Sequence, residues 1–173
     1  MKSDTVPEIR RLVLVLGDQL DPDHALVREL DPERDRVFMA EVREEATHVW
    51  SHKARIALFF SAMRHYRDHL RSRGITVQYL ALDRHYHGSL ATALAAELQA
   101  SRPEKVAMLQ AGDVRVQTAI EETVRQAGLQ LEVSADPHFL MDQKSFSIWL
   151  AQRKQPRMEH FYRAMRKQTG ILM

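Results

Sequence analysis

The sequence has 173 residues, 45% of them apolar and 28% charged, with a formal net charge of +2. This composition indicates a globular protein with a buried core, and the charge balance neither favours nor excludes a nucleic-acid partner. The absence of cysteine excludes disulfides, thiolate metal sites, iron–sulfur clusters and a cysteine nucleophile within these residues. Residues 1–11 lack the apolar core of a signal peptide, and no apolar run approaches the roughly 20 residues that span a bilayer. We therefore expect a cytoplasmic location.

Apolar strands and amphipathic helices alternate along the chain. Five short apolar or alternating runs predict strands at about 12–16, 37–42, 75–80, 105–109 and 129–133. Apolar positions at three- and four-residue steps predict helices at about 22–30, 51–73, 89–100, 114–127, 142–153 and 157–168. Asp21 is the predicted N-cap of the first helix with Pro22 at its first position, and Gly74 and Gly128 are predicted to end two others.

Strands separated by helices are typical of a parallel sheet covered on both faces. We expect an α/β, Rossmann-like, doubly wound five-stranded parallel sheet over residues 11–135, with its last strand at an edge. Residues 1–10 are expected to be poorly ordered, and residues 136–173 to form C-terminal helices. The apolar end at 170–173 is typical of a chain cut from a longer protein.

The first candidate site follows the first strand. Gly17, Asp18 and Gln19 stand where that strand ends, and ligands of doubly wound folds bind at the carboxyl ends of strands. Glycine lets a ligand approach the backbone, and the two side chains offer acceptors and a donor. The alternative is a strand-to-helix turn whose polar groups satisfy the local backbone. A GxGxxG dinucleotide fingerprint is absent from the sequence.

A second group of acids follows the second strand. Glu41 and Glu45 would face Gly17 to Gln19 if the first two strands are neighbours, and could accept hydrogen bonds from a ribose, a ribityl chain or a ring N–H. The alternative is that they complement the dipole at a helix N-terminus, which is the favoured interpretation for Glu44.

Histidines form the remaining polar clusters. His48 and His52 have the four-residue spacing of a helical metal site but lack an HExxH context, so we predict no metal. With Lys53 and Arg55, they are better interpreted as a cationic rim to the ligand pocket, to which His48 would contribute; the alternative is a solvated face. The run 85–87, His-Tyr-His, reads as a loop. No Ser/His/Asp signature and no P-loop occur, so no self-contained catalytic group is predicted. The basic C-terminal helices are typical of amphipathic helices that pack on a further domain.

Motifs spread along the chain resemble one known family. The matching stretches are Leu16-Gly17-Asp18-Gln19-Leu20, Glu41-Val42, Glu45-Ala46, His52-Lys53 with Ile56, and the runs 60–65, 158–163, 165–166 and 169–173. In these positions the chain is similar to the N-terminal α/β domain of the deoxyribodipyrimidine photolyase-related proteins. These are the prokaryotic iron–sulfur members of the cryptochrome and photolyase superfamily, including bacterial (6-4) photolyases.

The resemblance implies an antenna-binding domain of a longer flavoprotein. Family members are roughly three times this length, beyond one domain, and their C-terminal part binds FAD and an iron–sulfur cluster for light-driven DNA repair or signalling. Their antenna is typically 6,7-dimethyl-8-ribityllumazine. The motif positions near its pocket correspond here to Gly17, Asp18, Gln19, Leu20, Glu41 and Glu45.

One departure from the family concerns the loop after the fourth strand. Family members commonly carry an aromatic residue after a Gly-Glu pair, whereas this chain has Val114 after Gly112 and Asp113. The resemblance therefore implies that a stacking wall is missing here.

The expected function is to bind the antenna chromophore for a flavin domain elsewhere in the same protein, without catalysis by this stretch alone. The expected partners are that flavin domain and, for the whole protein, damaged DNA. The alternatives are a structural domain with an empty pocket and a nucleotide-binding module of the same fold.

Overall fold

The computed structural model of the protein describes residues 9–171. The chain divides between Ser134 and Ala135 into two compact units. Residues 1–8, most of the N-terminus expected to be poorly ordered, lie outside the described residues.

Five strands of the first unit form one parallel sheet. They are β1 (Arg11–Leu14), β2 (Asp35–Ala40), β3 (Val77–Leu80), β4 (Lys105–Leu109) and β5 (Gln130–Ser134). Their order is β3-β2-β1-β4-β5, and every neighbouring pair is parallel. This confirms the predicted fold class and the edge position of the last strand. The strand order reverses between β1 and β4, which is the switch point where such sheets bind ligands.

Residues 9–171 form five helices in the first unit and two in the second. They are α1 (Ala25–Arg28), α2 (Arg43–Thr47), α3 (Lys53–Ser72), α4 (Leu90–Ser101), α5 (Val114–Gln126), α6 (Gln143–Ala151) and α7 (Met158–Thr169). The predicted start of α1 was wrong: His24 is its N-cap, and the Asp21 carboxylate instead accepts a hydrogen bond from the amide of Asp23 in a local turn. Gly74 and Gly128 have φ of 79° and 71°, as helix-ending glycines require.

The core of the first unit lies on both faces of the sheet, as a doubly wound fold requires. Successive strand residues point to opposite faces, so Leu12 and Leu14 pack in one cluster and Val13 in the other. The first cluster contains Leu94 of α4 and Ile120 of α5. The second contains buried residues of α1 and α3, namely Leu26, Val27, Met63, Tyr66 and Leu70.

A buried carboxylate joins β1 and β2 at the edge where both strands begin. Asp35 is 1% exposed. It accepts two hydrogen bonds from the Arg10 guanidinium at 2.9 and 2.6 Å, one from Arg11 at 3.1 Å, and one from the amide of Asp31 at 3.0 Å. Each donor compensates part of the cost of burying the negative charge.

The second unit contains a small aromatic cluster. Phe161 of α7 meets the edges of Phe146 and Trp149 of α6, with ring centroids 5.3 and 5.0 Å apart. The Arg153 guanidinium lies 4.4 Å from the centre of the Trp149 ring. In the described part of the chain, no helix combines the length and the hydropathy needed to cross a membrane.

Candidate functional site

A cavity of about 260 Å³ lies at the carboxyl edge of the sheet, at the switch point. The ends of β1 and β2, the segment after β4, and residues of α2, α3, α4 and α5 contribute its walls. The lining residues from the ends of β1 and β2 are Val15, Leu16, Gly17, Asp18, Ala40 and Val42, and those after β4 are Ala111, Gly112 and Asp113. The helices contribute Glu45 of α2, Phe59, Phe60 and Met63 of α3, Leu90 of α4 and Val116 of α5. The walls are therefore mostly apolar, and the polar groups are carboxylates.

Gly17 allows α3 to approach the end of β1 closely. A Cβ atom built on Gly17 would lie 2.7 Å from Cζ of Phe59 and 2.9 Å from Sδ of Met63, and would clash with Cε1 of Phe59 as well. Both side chains line the cavity. The glycine therefore sets the position of the aromatic wall, which is a different role from the close ligand approach expected from the sequence.

Gly17→Ala is expected to move the Phe59 ring and the Met63 thioether. We expect a loss of up to about 1 kcal/mol in the free energy of unfolding, because the added methyl meets the outer ends of two side chains and the Phe59 ring, which is 40% exposed, can move aside. Urea denaturation measures this loss. Gly88→Ala is the matched control, since nothing lies within 4 Å of a Cβ built there. Equal losses in the two variants would contradict the role assigned to Gly17.

Three carboxylates surround the cavity: those of Asp18, Glu45 and Asp113. Partial burial raises the pKa of Glu45; the negative charges of Glu44, Asp113 and Asp18 raise it further, and Arg115 opposes them. The Arg115 guanidinium donates to Oδ2 of Asp113 at 2.5 Å and lowers the pKa of that carboxyl. The three carboxylates can accept hydrogen bonds from a ligand's hydroxyl or ring N–H groups.

The side chain of Glu41 points away from the cavity. Glu41 is fully buried. Its carboxylate accepts two hydrogen bonds from Arg64 at 2.6 and 2.8 Å, one from the Tyr79 hydroxyl at 2.5 Å and one from the Leu82 amide at 3.0 Å. Burial alone would raise the pKa of Glu41, but these donors outweigh it and hold the pKa below its ordinary value. Glu41 thus joins β2 to α3 and to the loop after β3, while its neighbours Ala40 and Val42 line the cavity.

Three further residues selected from the sequence lie outside the lining. Gln19 is 1% exposed and donates from Nε2 to the carbonyl of Gln110 at 2.9 Å, joining the loops after β1 and β4 across the switch point. Leu20 packs against the buried cluster on the α3 side. His48 is exposed at the end of α2, and its charge acts on Asp113. Of the predicted ligand-facing residues, the structure brings together Gly17, Asp18 and Glu45.

Sequence reasoning missed the aromatic wall. The apolar spacing that includes Phe59 and Phe60 was used only to predict the helix, and the buried side chains of α3 begin at Met63. Phe59 is 40% exposed, and both rings line the cavity. Adjacent helical residues point about 100° apart, so two neighbouring phenylalanines cannot both face the sheet. Val114, at the position where the family has an aromatic residue, is 69% exposed and lies outside the lining.

The other histidines have local roles. Nδ1 of His52 accepts a hydrogen bond from the amide of Ala54 and so caps α3. His85 donates from Nε2 to the carbonyl of Glu41 at 2.8 Å and stacks on His87. Among residues 9–171, no three His, Asp or Glu side chains lie in an arrangement that could hold a metal ion.

The doubly wound parallel sheet defines a Rossmann-like α/β domain, and its cavity lies at the switch point where domains of this class bind ligands. The sequence model of the family described as deoxyribodipyrimidine photo-lyase-related protein matches residues 13–173, and the chain belongs to this family. It is 37% identical over 164 residues to the (6-4) photolyase of Agrobacterium fabrum. That alignment covers 94% of this chain and 32% of the relative's length.

Proposed function

We propose that the first unit binds an antenna chromophore, 6,7-dimethyl-8-ribityllumazine, for a light-dependent flavoprotein of the photolyase and cryptochrome type. The observation that carries this proposal is the cavity at the switch point, enclosed by the ends of β1, β2 and β4 and by α3. The bound chromophore would supply absorption of blue or near-ultraviolet light and excitation transfer to a flavin. The chain's own residues hold the ring, orient it and exclude water.

The dimensions and chemistry of the cavity support this ligand class. Its volume of about 260 Å³ lies just below the usual range of roughly 300–1,000 Å³ for small-molecule sites, which suits a compact ring whose chain extends through the mouth. The rings of Phe59 and Phe60 offer aromatic contacts. Asp18 and Glu45 can accept hydrogen bonds from ribityl hydroxyls. Neither Arg43 nor His48 lines the cavity, so these side chains do not fill it.

The chromophore's energy acceptor would be FAD in a flavin domain of the same protein, with an iron–sulfur cluster in that domain. The alignment covers only 32% of the Agrobacterium fabrum photolyase, and the length that it leaves uncovered supports a further domain as the partner. For the whole protein we propose repair of damaged DNA or blue-light signalling in the cytoplasm, and no catalysis by this stretch alone.

Titration of the purified chain with the lumazine tests the proposal. We expect saturable binding, seen as a change in lumazine fluorescence and absorption. Val116→Trp should weaken binding at least about tenfold, because the half-buried Val116 lines the cavity and the indole would fill it.

Thr118→Trp is the matched control on the same helix, since Thr118 is exposed and lies outside the lining. Urea denaturation of both variants separates loss of the cavity from loss of the fold. A folded wild-type chain that does not bind the lumazine would contradict the proposed function. Equal affinity in the two variants would place binding outside this cavity.

A further inference from the structure

The charged side chains that line the cavity are all acidic. Asp18 follows β1, Glu45 lies on α2 and Asp113 precedes α5, and each lines the cavity. Among the described residues of the lining, none is a lysine or an arginine. The guanidinium of Arg115 is bonded to Asp113 and also acts on Glu45, so it compensates part of the negative charge of these two carboxylates.

The N-termini of α4 and α5 at this edge are capped by side chains of the chain itself. Doubly wound domains commonly bind phosphate at such N-termini, where backbone N–H groups are free. Here the Asp113 carboxylate accepts a hydrogen bond from the Arg115 amide at 2.8 Å and caps α5. The first turn of α2 carries Glu44 and Glu45, and α4 begins with a reciprocal capping box of Ser89 and Thr92. A phosphate would have to displace or face these groups.

We infer that Asp18, Glu45 and Asp113 make the cavity select an uncharged, hydroxyl-bearing ligand and reject the phosphorylated form of the same molecule. The inference rests on the proposed function and adds a charge requirement to it. Carboxylates accept hydrogen bonds from hydroxyl groups but repel a phosphate dianion. The same charges exclude nucleotides, which sets this domain apart from a nucleotide-binding module of the same fold.

The test compares 6,7-dimethyl-8-ribityllumazine with its 5′-phosphate in parallel titrations of the purified chain. At low ionic strength we expect the phosphate ester to bind at least about tenfold more weakly. Added salt should narrow this difference, because the Debye length falls to about 10 Å at 0.1 M.

Variants that neutralise carboxylates test whether Asp18 and Glu45 set the preference for the lumazine over its phosphate. The double variant Asp18→Asn, Glu45→Gln should reduce the ratio of the two dissociation constants several-fold while the chain stays folded. Glu33→Gln, which removes one exposed charge from the α1–β2 connection, should leave the ratio unchanged.

The outcomes separate the two claims. Equal affinity for the lumazine and its phosphate would overturn this inference and leave the proposed function standing. A ratio that the double variant does not change would also overturn it, since other groups would then set the preference. If neither the lumazine nor its phosphate binds, the proposed function fails, and this inference fails with it.

Discussion

Glu41→Ala is expected to lower the free energy of unfolding by about 2–4 kcal/mol. The substitution leaves the Tyr79 hydroxyl and the Leu82 amide without the acceptor they have in the native structure. It also removes the carboxylate that holds Arg64. The side chain of Arg64 is 48% exposed and can turn toward water, so we place the loss below that of a fully buried pair. Urea denaturation measures the difference.

The same variant is expected to weaken chromophore binding. Arg64 follows Met63 on α3, and Ala40 and Val42 flank Glu41, so the ion pair holds two walls of the cavity together. Glu33→Ala is the control, because Glu33 is exposed and its substitution should change the free energy of unfolding by less than about 0.5 kcal/mol. A Glu41→Ala protein as stable as the Glu33→Ala protein would show that the buried pair contributes nothing net.

Acid is expected to destabilise the fold through Asp35 and Glu41. Burial alone would raise the pKa of each carboxyl, but the hydrogen bonds from Arg10 and Arg64, respectively, and from backbone amides hold both pKa values below their ordinary range. Their contribution is therefore fully present above the ordinary carboxyl pKa of about 4 and is lost as the pH falls through the lower folded values. As the pH decreases, the free energy of unfolding should fall by about 1.4 kcal/mol per pH unit for each proton that the protein binds when it unfolds.

Glu45 and Glu97 act in the opposite direction, because burial raises their pKa values and their protonation favours the folded state. The observed pH dependence is the sum of these effects, so the contribution of Glu41 is isolated by comparison with Glu41→Gln. Urea denaturation measured at several pH values between 7 and about 3 should show that the free energy of unfolding falls less steeply with decreasing pH in this variant than in the wild type. Identical slopes for the two proteins would mean that Glu41 does not titrate below its ordinary pKa in the folded state.

The fold could be predicted because each level of the sequence pattern agrees with it. The apolar run that begins at Leu12 indicated burial on both faces, and the residues of β1 are buried on both. Lys105–Leu109 was predicted with its observed bounds, since charge and proline limit the run before it. The start of α1 was missed because the Asp21 carboxylate can cap either a helix or a local turn, and propensity alone does not choose between them.

The candidate site was predicted less completely than the fold. Position after a strand identified Gly17, Asp18 and Glu45, because strand ends meet at one edge. It could not reveal that the Glu41 side chain turns to Arg64, since that depends on which face of β2 points toward α3. The apolar pattern of α3 could not place Phe60 at the cavity, because such a pattern does not show where the core ends and a cavity begins.

The most direct test of a chromophore in this cavity is NMR of methionine methyl groups during a lumazine titration. The chain has eight methionines, and of those in the described residues only Met63 lines the cavity. A bound aromatic ring should shift the Met63 methyl resonance most, along a saturation curve matching the fluorescence titration. Saturable lumazine binding that leaves the Met63 resonance unchanged would contradict the account, because the ligand would then lie elsewhere.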